Sequence, residues 1–275
     1  MGDMISAPIL GAPSASVAVV APPAISVRHL RMGYGPRILL EDASLEVHRG
    51  EIVVILGGSG SGKSSLMKNI IGLYSPMAGD ILIDGESLLH AGPADKAQLQ
   101  RKLGVMYQSG ALFGSLSVLE NVRFPLDQFT ELTLPEKNLT ARMLLDTMEL
   151  LQAESLMPGE LSGGMLKRVG IARAMALGCD ILLLDEPSAG LDPITAANLD
   201  RTILSLRRDL GVTIVVVTHE LQSIFTIADR AIMLDPKTRA IIADDAPAML
   251  RDLSSDLRVR QFFNRQPDAL RAEFG

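Results

Sequence analysis

Ile52-Val53-Val54-Ile55-Leu56-Gly57-Gly58-Ser59-Gly60-Ser61-Gly62-Lys63-Ser64-Ser65 runs from five unbroken apolar residues into a glycine-serine turn that ends in lysine and serine. The apolar run is short and β-branched, which predicts a strand buried on both faces. Residues 62–73 carry a helical pattern. A strand, a G-x-x-x-x-G-K-[ST] turn and a helix together predict a phosphate cradle. Glycines let successive amides face one anion, and the helix adds its positive end. Lys63 would reach the β- and γ-phosphates, and Ser64 would ligate Mg²⁺.

Two further runs repeat the theme: Ile181-Leu182-Leu183-Leu184 and Val212-Thr213-Ile214-Val215-Val216-Val217. Helical patterns follow at 194–210, opened by Pro193, and at 220–228. Strand, turn and helix in repetition predict an α/β parallel-sheet core. Residues 25–47 and 79–85 read as short antiparallel strands with turn glycines. Between about residues 96 and 165 the pattern becomes helical. Ser117-Val118-Leu119-Glu120 reads as a capping box. Residues 135–151 read as an amphipathic helix with Leu139, Met143, Leu144, Met148 and Leu151 inward.

Asp185 and Glu186 close the second apolar run, at the sheet edge where open α/β folds bind ligands. Alone, two such acids would read as solvated. Beside a phosphate cradle, Asp185 suits the magnesium shell and Glu186 suits proton transfer from attacking water. Leu161-Ser162-Gly163-Gly164-Met165 opens another helix and is a second candidate anion site.

The chain has 275 residues, 47% of them hydrophobic, with 26 basic against 32 acidic side chains and a net charge near −6. Disorder is excluded by the apolar content, and the acidic balance without a basic run argues against nucleic acid. A single cysteine, Cys179, predicts a reducing, cytosolic setting and a packed side chain. Residues 4–27 carry no charge, yet Pro8, Pro13, Pro22 and Pro23 interrupt them, so residues 1–24 read as a disordered tail and not as a span or leader. Residues 251–275 read as a charged tail of mixed sign.

In this order and spacing, the elements of residues 25–250 resemble the ATP-binding cassette (ABC) ATPase family. The resemblance implies a P-loop, RecA-like α/β core with an antiparallel β subdomain and an inserted α-helical subdomain. It identifies Gly57, Gly58, Ser59, Gly60, Ser61, Gly62, Lys63, Ser64 and Ser65 as the Walker A loop. It makes Tyr34 the aromatic that stacks on adenine, against the alternative of a core filler. Gln108 becomes the Q-loop glutamine near magnesium or water. Ser162, Gly163 and Gly164 become the signature that caps the γ-phosphate from the opposite subunit. Asp185 is then the Walker B aspartate, Glu186 the catalytic glutamate, Asp192 the D-loop aspartate and His219 the switch histidine.

The expected cofactors are ATP and Mg²⁺, and the expected assembly is a homodimer on an integral-membrane permease. Leu112, Phe113, Leu116, Val118 and Leu119 are candidates for gripping a permease helix or, alternatively, for packing inside the helical subdomain. Met165 stands where the common signature has glutamine. That departure, with "MYQSGALFGSLSVLENVRFPL" and "LRVRQFF", resembles ATPases of maintenance-of-lipid-asymmetry (Mla) systems. Such a resemblance implies phospholipid transport across a Gram-negative envelope, an MCE-domain substrate-binding partner and a place at the cytoplasmic face of the inner membrane. It also allows a STAS-domain regulator, although only Gln266–Gly275 follow Phe262-Phe263-Asn264-Arg265. Rival expectations are an importer ATPase for another solute, a mechanical ATPase of DNA maintenance, and a non-hydrolysing switch. Sustained heptads and basic stripes, which the mechanical class needs, are missing from the sequence.

Overall fold

The structure is a computed structural model and describes residues 21–266. Residues 1–20 of the expected N-terminal tail lie outside that range. Strands β1 (Ile25–Tyr34) and β2 (Arg37–Val47) form a hairpin around Gly35-Pro36. Along β2, Ala43, Leu45 and Val47 are buried while Ser44 and Glu46 are exposed, the alternation of a sheet with one wet face. Strand β3 (Ile52–Gly57) is buried throughout and leads through the glycine turn into α1 (Lys63–Ile70). Next come β4 (Ala78–Ile83), β5 (Glu86–Ser87), α2 (Pro93–Arg101) and β6 (Leu103–Met106).

The helical section is α3 (Val118–Phe129), α4 (Leu134–Thr147) and α5 (Gly163–Ala174). The chain then alternates: β7 (Ile181–Asp185), α6 (Pro193–Leu210), β8 (Thr213–Val217), α7 (Leu221–Ile227), β9 (Arg230–Asp235). It closes with β10 (Ala240–Asp245), α8 (Pro247–Leu253) and α9 (Leu257–Phe263).

One antiparallel sheet has the order β2-β1-β4-β5. The larger sheet has the order β10-β9-β3-β8-β7-β6, with β9 through β6 parallel and β10 antiparallel at the edge. The three apolar runs are its neighbours β3, β8 and β7. Their unbroken hydrophobicity follows from two covered faces. Val53, Ile55, Leu183 and Val215 meet α1 and the antiparallel sheet. Val54, Leu56, Leu184 and Val216 share the other core with α3 to α7 and α9.

Four details differ from the sequence reading. Residues 93–106 are not a helical insert: α2 leads into β6, a strand of the main sheet. On α4 the buried positions are Ala141 and Leu145, followed by Met148, whereas Leu139 and Met143 are more than 60% exposed and Leu151 is exposed too. The i, i+4, i+7 stripe begins on a small alanine, which lets α4 approach its neighbours closely. Val118 is wholly buried and is core, not a docking surface. Residues 257–263 are no tail: Val259 and Phe263 are buried, and Phe263 meets Phe225 edge-on at 5.8 Å.

The Ser117–Glu120 capping box is formed, with Ser117 N–H donating to Glu120 Oε2 at 2.8 Å and Glu120 N–H to Ser117 Oγ at 3.3 Å. Hydrogen bonds from the Ser117 amide and hydroxyl hold the Glu120 carboxyl below its ordinary range.

Candidate functional site

The glycine turn sits at the C-terminal ends of the parallel strands, where β3, β7 and β8 all finish. Gly57 has φ 147°, and a Cβ there would lie 2.4 Å from the Leu234 carbonyl oxygen of β9. Only glycine permits both that backbone and that approach. The Lys63 ammonium folds over the loop, donating to Gly57 O at 2.8 Å and Gly58 O at 3.2 Å. Burial lowers its pKa, while Glu186 and Asp185 pull it back up. A cavity of about 270 Å³ opens beside it, lined by Tyr34, Arg37, Leu39, Gly60, Gly62, Lys63, Ser64 and Ser65.

Tyr34 is half exposed at this cavity and is not a core filler. Its hydroxyl pairs with Ser65 Oγ at 2.8 Å, and its ring meets Tyr74 edge-on at 5.7 Å. Arg37 brings a cation to the same wall. Sequence reasoning missed it, although a basic residue three positions after Tyr34, across the Gly35-Pro36 turn, was the available signal.

Ser64 Oγ donates to Asp185 Oδ1 at 3.4 Å, so α1 and β7 bring two hard oxygen ligands together. Asp185 is 8% exposed; burial and then the Glu186 charge raise its pKa, against the Ser64 bond and the charges of Lys68 and Lys63. Among the described residues no cluster of three His, Cys, Asp or Glu could hold a metal by itself. Two oxygens in a partly desolvated anionic niche fit Mg²⁺, which ordinarily completes its shell from phosphates and water.

Glu186 has φ 48°, a left-handed backbone that is costly for a glutamate. Its amide donates to Val217 O at 2.8 Å. Its Oε1 lies 2.8 Å from His219 Nδ1, and its Oε2 is buried without a hydrogen-bond partner. The sequence placed these two residues in one site but not in contact.

The remaining predicted residues lie around this cluster. Gln108 is exposed, and its carbonyl, not its side chain, is engaged, by the Lys167 ammonium. Asp192 caps α6, accepting from the Ile194 and Thr195 amides at 3.0 and 3.1 Å. Ser162 caps α5 through Met165 N–H at 3.3 Å, and Ser162 and Gly163 are exposed. Met165 packs its thioether against the core, which accounts for an apolar side chain there. Among the described residues no hydrogen bond joins Ser162, Gly163 or Gly164 to the Walker A loop. Cys179 is buried, and burial raises its pKa to about 11, so it is an inert thiol at neutral pH.

A P-loop with acidic residues and a histidine at the end of a parallel sheet, flanked by an antiparallel sheet and a helical section, defines a nucleotide-hydrolysing cassette. The chain belongs to the ABC transporter family: residues 40–189 match that family's description. It is 39% identical over 240 residues to the intermembrane phospholipid transport system ATP-binding protein MlaF of Escherichia coli K12, covering 87% of this chain and 88% of that one. The MlaF of Haemophilus influenzae is 38% identical, with 89% and 91% covered. The probable ribonucleotide transport ATP-binding protein mkl of Mycobacterium leprae is 37% identical over 88% of this chain and 69% of its own. Among solved structures, the dimeric post-hydrolysis state of the ATP-binding cassette MJ0796 bound to ADP and Pi superposes with a TM-score of 0.72 at 30% identity, covering 81% and 98%. The cbiO1 subunit from Clostridium perfringens, part of the transporter complex cbiONQ, gives 0.77 at 26% identity, covering 87% and 95%. This chain is therefore an ATP-binding, ATP-hydrolysing subunit of a transporter. Among the described residues no helix is long and apolar enough to cross a membrane.

Proposed function

We propose that two copies of this chain close face to face on two Mg-ATP, and that closing and reopening drive an integral-membrane permease that moves phospholipid between the inner and outer membranes of a Gram-negative envelope. The observation that carries the motor is the half-built site. Walker A, Asp185, Glu186 and His219 converge, while the Ser162-capped start of α5, exposed at Ser162 and Gly163, bonds to none of them among the described residues. A γ-phosphate that touches both copies only when they are closed biases the open-closed equilibrium, and its removal reverses the bias.

In this reading the ATP base rests on Tyr34, and Lys63 neutralises the phosphates. Ser64 and Asp185, with Gln108, would hold Mg²⁺, which would screen the charge of the phosphates. Water attacks the γ-phosphorus, its proton passes to Glu186 Oε2, and the bond to the β-phosphate oxygen breaks to give ADP and phosphate. His219 keeps the other carboxylate oxygen in place. Asp192 acts from the D-loop, through the helix start that it caps.

Permease docking is supported by a cavity of about 390 Å³ beside β6, lined by Leu103, Val105, Pro125, Phe129, Arg173 and Leu177 among others. Of the residues expected to grip a permease helix, Phe113 is exposed near this region, its ring tilted 50° against Phe124 at 4.7 Å with Arg173 over its face. The permease would hold the chain at the cytoplasmic face of the inner membrane. The phospholipid substrate rests on the MlaF relatives, and an MCE-domain partner on the sequence resemblance to Mla systems. A STAS-domain regulator is part of the same proposal.

The test is purification from gently solubilised membranes, followed by identification of partners and phospholipid transfer between vesicles. An MCE-domain protein and ATP-dependent lipid transfer support the proposal. A solute-binding protein for a sugar, amino acid or nucleotide, with no lipid transfer, overturns the substrate while the ATPase stands. A chain that stays monomeric with Mg-ATP and permease, even as Glu186→Gln, overturns the dimer.

A further inference from the structure

Lysine is almost never buried unless its charge is paired. Lys167, in α5 just after the signature segment, is 7% exposed and has no carboxylate partner among the described residues. Its ammonium instead donates to two main-chain carbonyls: that of Gln108, and that of Glu186 at 3.2 Å. Burial pulls its pKa down while Glu186 and Asp185 push it up, so the cation sits in the field of the site without touching either carboxylate.

The bond to Glu186 acts on a backbone that needs holding. At φ 48° the residue pays for its conformation, and such backbones persist where the surroundings over-determine them. The Glu186 amide is tied to Val217 on one side and its carbonyl to Lys167 on the other. With both peptide ends fixed, the side chain leaves β7 in one direction, with Oε1 on His219 and Oε2 free.

We propose that Lys167 is a positioning residue for ATP hydrolysis, its ammonium clamping the Glu186 backbone and tying it to the Gln108 loop, so that a displacement of that loop or of α5 is transmitted to the base. This rests on Glu186 being the base. It assigns to one side chain a hydrogen-bonded route from the signature helix to the Gln108 and Glu186 segments of the same copy.

The experiment compares Lys167→Met, Lys167→Arg and Glu186→Gln in the full chain, measuring kcat and KM for Mg-ATP together with the affinity for a non-hydrolysable ATP analogue. A misplaced reacting group costs up to about 100-fold in rate. Lys167→Met is therefore expected to lower kcat about 10- to 100-fold with KM and analogue affinity within about threefold. Lys167→Arg, which keeps the donors, is expected to recover most of the rate. If Glu186→Gln hydrolyses ATP normally, the base assignment fails and this inference with it. If Glu186→Gln is inactive while Lys167→Met keeps the parent kcat, Lys167 alone is misassigned. Loss of analogue binding together with kcat, unrescued by arginine, reads as a packing role and also overturns the inference.

Discussion

His219 Nδ1 lies 2.8 Å from Glu186 Oε1, while Oε2 of the same carboxylate is buried and unpartnered. One oxygen is held and the other is left to work. Deleting the imidazole frees the carboxylate to rotate, so His219→Ala should lower kcat roughly 10- to 100-fold while leaving the KM for ATP within about threefold. Steady-state phosphate release at saturating ATP checks this.

Glu186→Gln preserves shape and removes the proposed proton acceptor. Turnover should fall at least about 100-fold, the usual scale of general-base catalysis, with ATP affinity kept. Light scattering with Mg-ATP should then find the protein as a long-lived dimer, and a variant that hydrolyses ATP at the parent rate would remove Glu186 from its role.

At the cavity mouth the ring and hydroxyl of Tyr34 are separable, since the hydroxyl is spent on Ser65 at 2.8 Å. Tyr34→Phe should bind ATP almost as well as the parent chain, whereas Tyr34→Ala should lose a stacking energy of about 1–2 kcal/mol, a rise in Kd of roughly 5- to 30-fold. Arg37→Ala, which removes a cation from the same wall, should weaken binding by about 1 kcal/mol. Titration with a fluorescent nucleotide distinguishes the three.

The central strands of the main sheet were legible because β3, β7 and β8 are covered on both faces and so run apolar, with Thr213 and Asp185 only at strand ends. Strand β6 was hidden by its own packing: a Cβ on Gly104 would lie 2.5 Å from the Ala174 carbonyl oxygen, so close approach of α5 forces a glycine into a four-residue strand. The α9 stripe of Val259 and Phe263 was masked by Arg258 and Arg260, whose charges suggested solvent; Arg258 instead pairs with Asp235 at 2.5 Å. Of the candidate site, Lys63, Asp185 and Glu186 could be singled out because phosphate chemistry calls for those particular side chains, and the fold sets them close enough for both carboxylates to act on the Lys63 ammonium. The link through Lys167 was not legible, because its acceptors are main-chain carbonyls, which every residue type supplies.

Asp200, on α6, is 4% exposed; burial raises its pKa and a bond from Ser223 only partly offsets this. A carboxyl whose folded pKa exceeds its unfolded one adds stability at low pH that is lost as pH rises through the folded value. Asp200→Asn lacks that loss. It should therefore be more stable than the parent at neutral pH, with the gap closing on acidification. Thermal melts from neutral pH down to roughly pH 4, the range of an unfolded aspartate, read the difference directly.

Gly57→Ala would place a methyl group 2.4 Å from Leu234 O on a backbone of φ 147°. Overpacking and strain together should cost about 2–5 kcal/mol. The urea midpoint should fall with the m-value unchanged.

That same approach of Gly57 to Leu234 has a bearing on biosynthesis. Ribosomes deliver the amino-terminal portion first. The phosphate cradle therefore emerges with its glycines already in hand but without a back wall, since β9 arrives more than 170 residues later, and the helix that pins the β9–β10 turn through Arg258 and Asp235 comes later still. A nascent chain can thus display the nucleotide motif long before it can shape it, and competence to take up ATP is gained near the end of translation.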